Sequence, residues 1–126
     1  MIHWTRKAKY GARKTTFEGR RYDSKGEAGL AYELGMELKA GLLTRIEPQR
    51  TFCLYGMNRN LIARHRVDFL VTLPDGSQEV REFKGFATEI WRIKRELFLD
   101  NYPTIPYIVI TAKSRWMGIP KKGRAS

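Results

Sequence analysis

The sequence lacks the residues on which several common classes of protein depend. Cys53 is its only cysteine, which excludes an intrachain disulfide and a zinc site built from several cysteines. The two histidines, His3 and His65, have no partner at metal-ligand spacing, which argues against a zinc nuclease. No apolar run approaches the roughly 18 residues of a membrane span, and residues 1–14 lack the apolar core of a secretory signal. We therefore expect a cytoplasmic protein without a membrane partner.

Acidic residues are scarce at both ends of the chain. The 126 residues carry a net charge of +11, and the excess lies in residues 1–25 and 113–126, whereas residues 26–112 are neutral. Basic arms suit a polyanion, because each phosphate contact releases counterions. We interpret both arms as DNA-binding; the alternative is that they serve solubility or are simply disordered tails. The candidate contacts are Lys9, Arg13, Lys14, Arg20, Arg21, Lys25, Lys94, Lys113 and Arg115.

The length predicts one domain, with a basic N-terminal arm (1–23), a core (24–112) and a basic C-terminal tail (113–126). A helix is expected to begin at Ser24, with Glu27 completing a capping box, and to end near Gly41. A second helix is expected at about 88–101, before Pro103. Strands are predicted at 50–56, 62–73, 78–84 and 105–111, the last covered on both faces. This order predicts an α/β fold, in which an antiparallel hairpin enters a mixed central β-sheet flanked by helices.

The loop Pro74-Asp75-Gly76 predicts the register of that hairpin. A type I turn followed by a left-handed glycine makes a three-residue loop, so Leu73 faces Ser77 and Asp68 falls opposite Glu82. Directly opposed residues point to the same face of the sheet, and Lys84, two residues beyond Glu82, shares that face. A two-residue loop would instead place Asp68 on the far side.

Two carboxylates at opposed positions need compensation. Their β-carbons lie about 4.5–5.5 Å apart, so Asp68 and Glu82 repel each other unless one takes a proton or a cation sits between them. Mg²⁺ prefers oxygen ligands and keeps several waters. With Lys84 beside it to serve an attacking water or the phosphate, such a site suits phosphodiester hydrolysis. The alternative is an ion pair between Glu82 and Lys84 in a non-catalytic nucleic-acid-binding module.

Three further residues have two interpretations each. Glu27 opens a stripe that points to the sheet, or it serves only the capping box; the stripe continues through Ala31, Leu34 and Leu38. Gln49 bonds a substrate or bridges to the site, or it is a plain turn residue. Lys94, beside Arg92 and Arg95, contacts phosphate or lies on a solvated helix face. His65 has the strand parity opposite to Asp68, so we do not expect it to be a ligand.

The segments V-D-F (67–69) and E-F-K (82–84), with S-K-G-E (24–27) at the start of the first helix, resemble the PD-(D/E)XK nuclease superfamily. Most of the chain resembles a branch of small phage-encoded members related to archaeal-type Holliday-junction resolvases. Val67 stands where that family usually has a proline. The resemblance implies a restriction-endonuclease-like core and a host-cell cytoplasm, bacterial or phage-infected.

The resemblance also implies roles for individual residues. Asp68 and Glu82 would hold Mg²⁺ or Mn²⁺, helped by the Phe83 backbone carbonyl. Lys84 would serve the nucleophilic water, and Glu27 would bind the metal directly or through water. A homodimer acting on four-way junctions is expected, because two symmetric strands must be cut. A nicking, repair or site-specific endonuclease is the alternative, and no motif indicates which bases are read.

Overall fold

The computed structural model describes residues 15–17, 20–22 and 25–111. In the two short ranges it describes the backbone only. The elements, in chain order, are β1 (Thr15–Phe17), β2 (Arg20–Tyr22), α1 (Lys25–Lys39), β3 (Arg45–Pro48), β4 (Thr51–Tyr55), β5 (Leu61–Arg66), β6 (Phe69–Thr72), β7 (Gln78–Phe83), α2 (Glu89–Asn101) and β8 (Tyr107–Ile110).

A four-stranded mixed sheet organises these elements. Its strand order is β3-β6-β7-β8, and β1-β2 and β4-β5 form separate two-stranded sheets. β6 is antiparallel to both β3 and β7, whereas β7 and β8 are parallel. A parallel pair needs a crossover connection, and α2 supplies it. The predicted α/β arrangement, a hairpin that enters a mixed sheet by way of a crossover helix, is confirmed.

The single strand predicted at 62–73 is wrong. The segment forms β5, which pairs with β4, and β6, which belongs to the central sheet. Between them the backbone changes partners: Val67 N donates to Arg50 O at 2.9 Å, and Asp68 O accepts from Gln49 N at 2.7 Å. Alternating apolar residues have the same period in both strands, so the pattern does not reveal the change of sheet. β1, β2 and β3 were also missed, and the first two lie in the predicted N-terminal arm.

The two helices agree with their sequence signals. α1 ends at Lys39, two residues before Gly41; the predicted N-cap, Ser24, lies outside the described residues. α2 begins after Thr88, whose side chain accepts a hydrogen bond from Trp91 N at 3.1 Å. Pro103 follows its end, as expected. No helix in the described ranges is long and apolar enough to cross a bilayer.

The core lies on both faces of the sheet. Phe69 and Val71 pack with α1, whereas Leu70 and Val80 pack with α2 and β4, because neighbouring residues of a strand point to opposite faces. β8 is only partly covered on both faces, since Ile110 packs against the α1 cluster and Tyr107 against the α2 cluster while Ile108 stays 37% exposed at the sheet edge.

Candidate active site

The β6–β7 hairpin has the predicted register. Phe69 pairs with Arg81, and Leu73 N donates to Ser77 O at 2.8 Å across the loop. Gly76 has φ +91°, the left-handed conformation that this turn requires. One step beyond the ladder Asp68 is brought beside the end of β7, where its Oδ2 accepts a hydrogen bond from Phe83 N at 2.9 Å.

A cleft of about 280 Å³ opens where β6 and β7 meet α1, β5 and α2. The four residues predicted to form the site all line it: Glu27, Asp68, Glu82 and Lys84. The other lining residues are Gln49, His65, Arg66, Thr88, Ile90, Trp91 and Lys94. Asp68 and Glu82 therefore face the same side of the sheet, as the three-residue loop predicts.

Close packing of α1 on the sheet places Glu27 in the cleft. A Cβ at Gly26 would lie 2.1 Å from the Phe83 ring, so only glycine allows this approach. Gln49, at φ +54° between β3 and β4, donates from Nε2 to Glu27 Oε2 at 2.7 Å. Gln49 is therefore both a turn residue and a bridge to Glu27. Within the predicted stripe Leu34 is fully buried, whereas Leu38 is 41% exposed, so burial of the stripe ends before the last turn of α1.

Three donors surround Glu82, which is only 3% exposed. The Tyr107 hydroxyl donates to Oε1 at 2.5 Å. Trp91 Nε1 donates to Oε2 at 3.1 Å, and Lys84 Nζ lies 3.3 Å from the same oxygen. Hydrogen bonds to an ionised group are stronger than neutral ones, so this buried carboxylate is held in one orientation.

His65 extends this network by one step. Its Nε2 lies 2.7 Å from the Tyr107 hydroxyl, and because that hydroxyl gives its proton to Glu82, the ring donates from Nε2. Burial, followed by the positive charges of Lys94 and Lys84, lowers the pKa of His65 to about 4, so the ring is neutral near pH 7. Strand parity does not relate His65 to Asp68, because His65 lies in β5 and Asp68 lies between β5 and β6. His65 instead bonds to Tyr107.

The pKa of Asp68 reflects its burial and the nearby acids. Burial, then the negative charges of Glu27 and Glu82, raise the pKa of Asp68 to about 8, although the Phe83 N–H and Lys84 act in the opposite direction. The repulsion predicted for the two opposed carboxylates is therefore present. Without a cation, the folded protein relieves it by keeping a proton on Asp68 near neutral pH.

The donors fit a hydrated Mg²⁺ better than a closed protein cage. Within the part of the chain that is described, no group of three or more His, Cys, Asp or Glu side chains could hold a metal ion among themselves. Mg²⁺ commonly needs only one or two carboxylates and keeps its remaining waters. Asp68 and Glu82 supply two. A dication in place of the proton would relieve the repulsion that, after burial, raises the pKa of Asp68.

The basic residues predicted to bind DNA are only partly described. Lys94 lines the cleft and donates from Nζ to Arg64 O at 2.9 Å, so it does not lie on a purely solvated helix face. Lys25 is exposed at the start of α1, and Arg20 and Arg21 belong to β2. Lys9, Arg13, Lys14, Lys113 and Arg115 lie outside the described residues.

The opposed pKa shifts of Asp68 and His65 predict how the stability of the metal-free protein depends on pH. An acid with a raised pKa lowers stability as pH rises, and a histidine with a lowered pKa raises it. From pH 4 to 6.5 the two effects oppose each other, and above 6.5 only Asp68 titrates, up to about 8. One proton contributes at most about 1.4 kcal/mol per pH unit, so we expect a loss of up to about 2 kcal/mol between pH 6.5 and 8.

Urea unfolding in EDTA at a series of pH values measures this loss. The Asp68→Asn variant should abolish the fall above pH 6.5, whereas Asp100→Asn, at an exposed position of α2, should leave it unchanged. A wild-type stability that stays level or rises between pH 6.5 and 8 would show that the carboxylates do not repel as described.

A second prediction concerns the Tyr107 hydroxyl. Tyr107→Phe should cost about 1.5–3 kcal/mol, because it removes a hydrogen bond to a buried charge. Tyr102→Phe is the matched control: its hydroxyl belongs to the same aromatic cluster but donates to the neutral Cys53 O at 2.7 Å, and its loss should cost about 0.5–1.5 kcal/mol. Thermal and urea unfolding at pH 7 measure both. Tyr107→Phe should lose more stability than Tyr102→Phe, and this difference should shrink in a Glu82→Gln background. A difference of the same size in both backgrounds would mean that the Tyr107 hydroxyl does not stabilise the Glu82 carboxylate.

Trp91 and Tyr107, the two aromatic donors to Glu82, are among the site residues that sequence reasoning missed. Each is an aromatic side chain with a polar tip, and such residues find a hydrogen-bond partner when buried. Tyr107 lies within the apolar run 105–111, where it is the one side chain with a hydroxyl besides the terminal Thr111. That polar group in a buried strand was the available signal, whereas its partner depends on the parallel pairing of β7 with β8.

Comparison with known protein families identifies the family of the chain. Residues 7–117 match the model of a family described as protein of unknown function, DUF1064. No curated protein and no solved structure matches the chain. The matched range includes every residue of the cleft. The chain therefore belongs to the DUF1064 family.

Proposed function

We propose that the protein is a metal-dependent endodeoxyribonuclease of the PD-(D/E)XK superfamily, with a restriction-endonuclease-like core. The observation that carries the proposal is the meeting of Asp68, Glu82 and Lys84 in one cleft, where burial and then the charges of Glu27 and Glu82 raise the pKa of Asp68 to about 8. The order of elements also supports it, since an acid from a first helix, a hairpin and a parallel strand after a crossover helix converge on one end of the sheet.

Hydrolysis joins a water oxygen to phosphorus and breaks one P–O bond of the backbone; the water loses a proton and the leaving oxygen gains one. Mg²⁺ or Mn²⁺, held by Asp68, Glu82 and the Phe83 carbonyl, would polarise the phosphate and make the water more acidic. The residues of the chain provide orientation. Tyr107 and Trp91 fix Glu82, and the Phe83 N–H fixes Asp68.

Lys84 is positioned to act on the water or on the phosphate. Its side chain is 24% exposed and its Nζ lies 3.3 Å from Glu82 Oε2, at the border between the buried acids and the cleft. Paired with a carboxylate it is a hydrogen-bond donor, so it can orient the water and stabilise negative charge on the phosphate. Glu27, held by Gln49, contributes a third negative group that can bind the metal through water.

Branched DNA is the substrate we propose, and a four-way junction in particular. Cutting two symmetric strands requires two active sites, so the active species would be a homodimer. Its setting would be the cytoplasm of a bacterial or phage-infected cell. A nicking, repair or site-specific endonuclease would use the same residues on other DNA.

Cleavage of synthetic DNA tests the proposal. The full chain is incubated with labelled four-way junction, flap and linear duplex of one sequence, in Mg²⁺, Mn²⁺ or EDTA. We expect cleavage that requires the divalent ion and is fastest on the junction. Faster cleavage of flap or duplex would favour the alternative substrates, and no cleavage of any DNA in either metal would refute the nuclease.

The ion pair between Lys84 and Glu82 favours a second candidate function, a binding module without catalysis. Such a module would bind DNA equally well in EDTA and in Mg²⁺. Glu82→Gln separates the two functions, because loss of cleavage with retained binding is possible only for the nuclease.

A further inference from the structure

The outer face of the β4–β5 hairpin carries two arginines that belong to neither basic arm. In β5 the side chains of Arg64 and Arg66 are exposed, and His65 between them is buried. Residues two apart on a strand point to the same side. Both guanidinium groups therefore project from the face opposite to the core.

Arg64 and Arg66 differ from Arg45, Arg50 and Arg81 in having no acid beside them within residues 25–111. Arg50 pairs with Glu47 at 3.1 Å, and Arg81 pairs with Glu79 at 3.0 Å. Arg45 lies 3.9 Å from Glu47. Within residues 25–111, neither Arg64 nor Arg66 forms an ion pair. No acid in that range neutralises their charge, so they can bind an anion from outside.

The two arginines lie next to the cleft. Arg66 is one of the cleft residues, and Lys94, which also lines it, donates from Nζ to Arg64 O at 2.9 Å. That bond ties α2 to β5 and brings a third cation to the same edge. We name Arg64, Arg66 and Lys94 the cationic ledge.

We propose that the cationic ledge binds backbone phosphates of the DNA strand that leaves the cleft on the β5 side. The proposal rests on the proposed function for the identity of the molecule in the cleft, and it adds a binding surface for the flanking DNA. Guanidinium groups bind phosphate through paired hydrogen bonds. Contacts of this kind carry no sequence information, so the ledge holds the substrate in place without selecting bases.

The test measures binding without cleavage. Full-length Asp68→Asn protein binds fluorescent duplex and four-way junction in EDTA, and anisotropy gives the affinity from ~50 to ~200 mM salt. Each phosphate contact adds about 0.9 to the slope of log affinity against log salt. Replacing both arginines (Arg64→Gln with Arg66→Gln) should therefore reduce the slope by about two, by similar amounts on DNA of different sequence.

Arg45→Gln with Arg59→Gln is the matched control, because it removes the same charge from exposed positions that do not line the cleft. It should change the slope by much less. The ledge proposal would be overturned if both pairs of substitutions changed the salt slope equally or if the ledge pair left it unchanged. It would also be overturned if the Asp68→Asn protein did not bind DNA. Cleavage by wild type with an unchanged slope would refute the ledge alone, whereas a slope reduced as expected without cleavage in Mg²⁺ would refute the nuclease alone.

Discussion

Asp68→Asn is expected to lower the rate of metal-dependent DNA cleavage by about a thousandfold or more. A bound metal supplies several kcal/mol of charge stabilisation in such reactions, and about 4 kcal/mol corresponds to a thousandfold. Asparagine removes the negative charge that attracts the ion. It retains an oxygen that can accept the Phe83 N–H, so the end of the hairpin should keep its structure.

The control makes the same substitution at a different position. Asp100→Asn, also an exchange of aspartate for asparagine but at an exposed site on α2, should cleave at the wild-type rate. Single-turnover rates in Mg²⁺ measure both variants, and calorimetry with Mn²⁺ measures metal affinity without DNA. An Asp68→Asn variant that cleaves like wild type would remove Asp68 from the site.

The centre of the site could be predicted because a local signal determines it. Pro74 and Gly76 fix the loop length, and the loop length fixes which residues oppose each other across the hairpin. The position of Asp68 beside the end of β7 follows from the five residues, 73–77, between the two strands, without knowledge of the rest of the fold. Helical periodicity left two interpretations of Glu27, a stripe that points to the sheet or the capping box alone, and the buried start of α1 favours the stripe.

The remainder of the cleft depends on pairings between distant segments. The pattern of residues 62–73 does not show that the chain leaves one sheet and enters another at Val67. That change of sheet brings His65 and Arg66 to the cleft, although strand parity in a single strand would separate His65 from Asp68. Side chains alternate in the same way in β5 and in β6, so the alternation does not mark the change of sheet between them.

The hydrogen bonds to Glu82 illustrate the same limit. Tyr107 reaches it because β8 pairs in parallel with β7, with Val109 beside Glu82 in the register. Trp91 reaches it from α2, the crossover helix that makes the parallel pairing possible. The acid was identified from its own strand, whereas the donors that hold it come from two later elements and required the fold.

Lys84→Met is expected to reduce cleavage without weakening metal binding. Methionine keeps most of the stem that packs beside Trp91, whose ring lies 4.8 Å from Nζ, but removes the ammonium group. Loss of a group that orients or activates water typically costs about 10²–10⁴ in rate. The ammonium also occupies Glu82 Oε2 at 3.3 Å, so its removal frees an oxygen and should leave Mn²⁺ affinity unchanged or higher.

A lower cleavage rate with unchanged or higher Mn²⁺ affinity distinguishes Lys84 from the metal ligands, whose loss should lower both quantities. Single-turnover cleavage and Mn²⁺ calorimetry on the same preparation give the two quantities, and Lys39→Met, at an exposed position at the end of α1, controls for the loss of one positive charge. If Lys84→Met lowers metal affinity as far as it lowers the rate, the lysine supports only the arrangement of the acids. If the rate falls while affinity holds, the ammonium acts on the water or the phosphate, because Glu82 then still binds the ion and only the group beside it has changed.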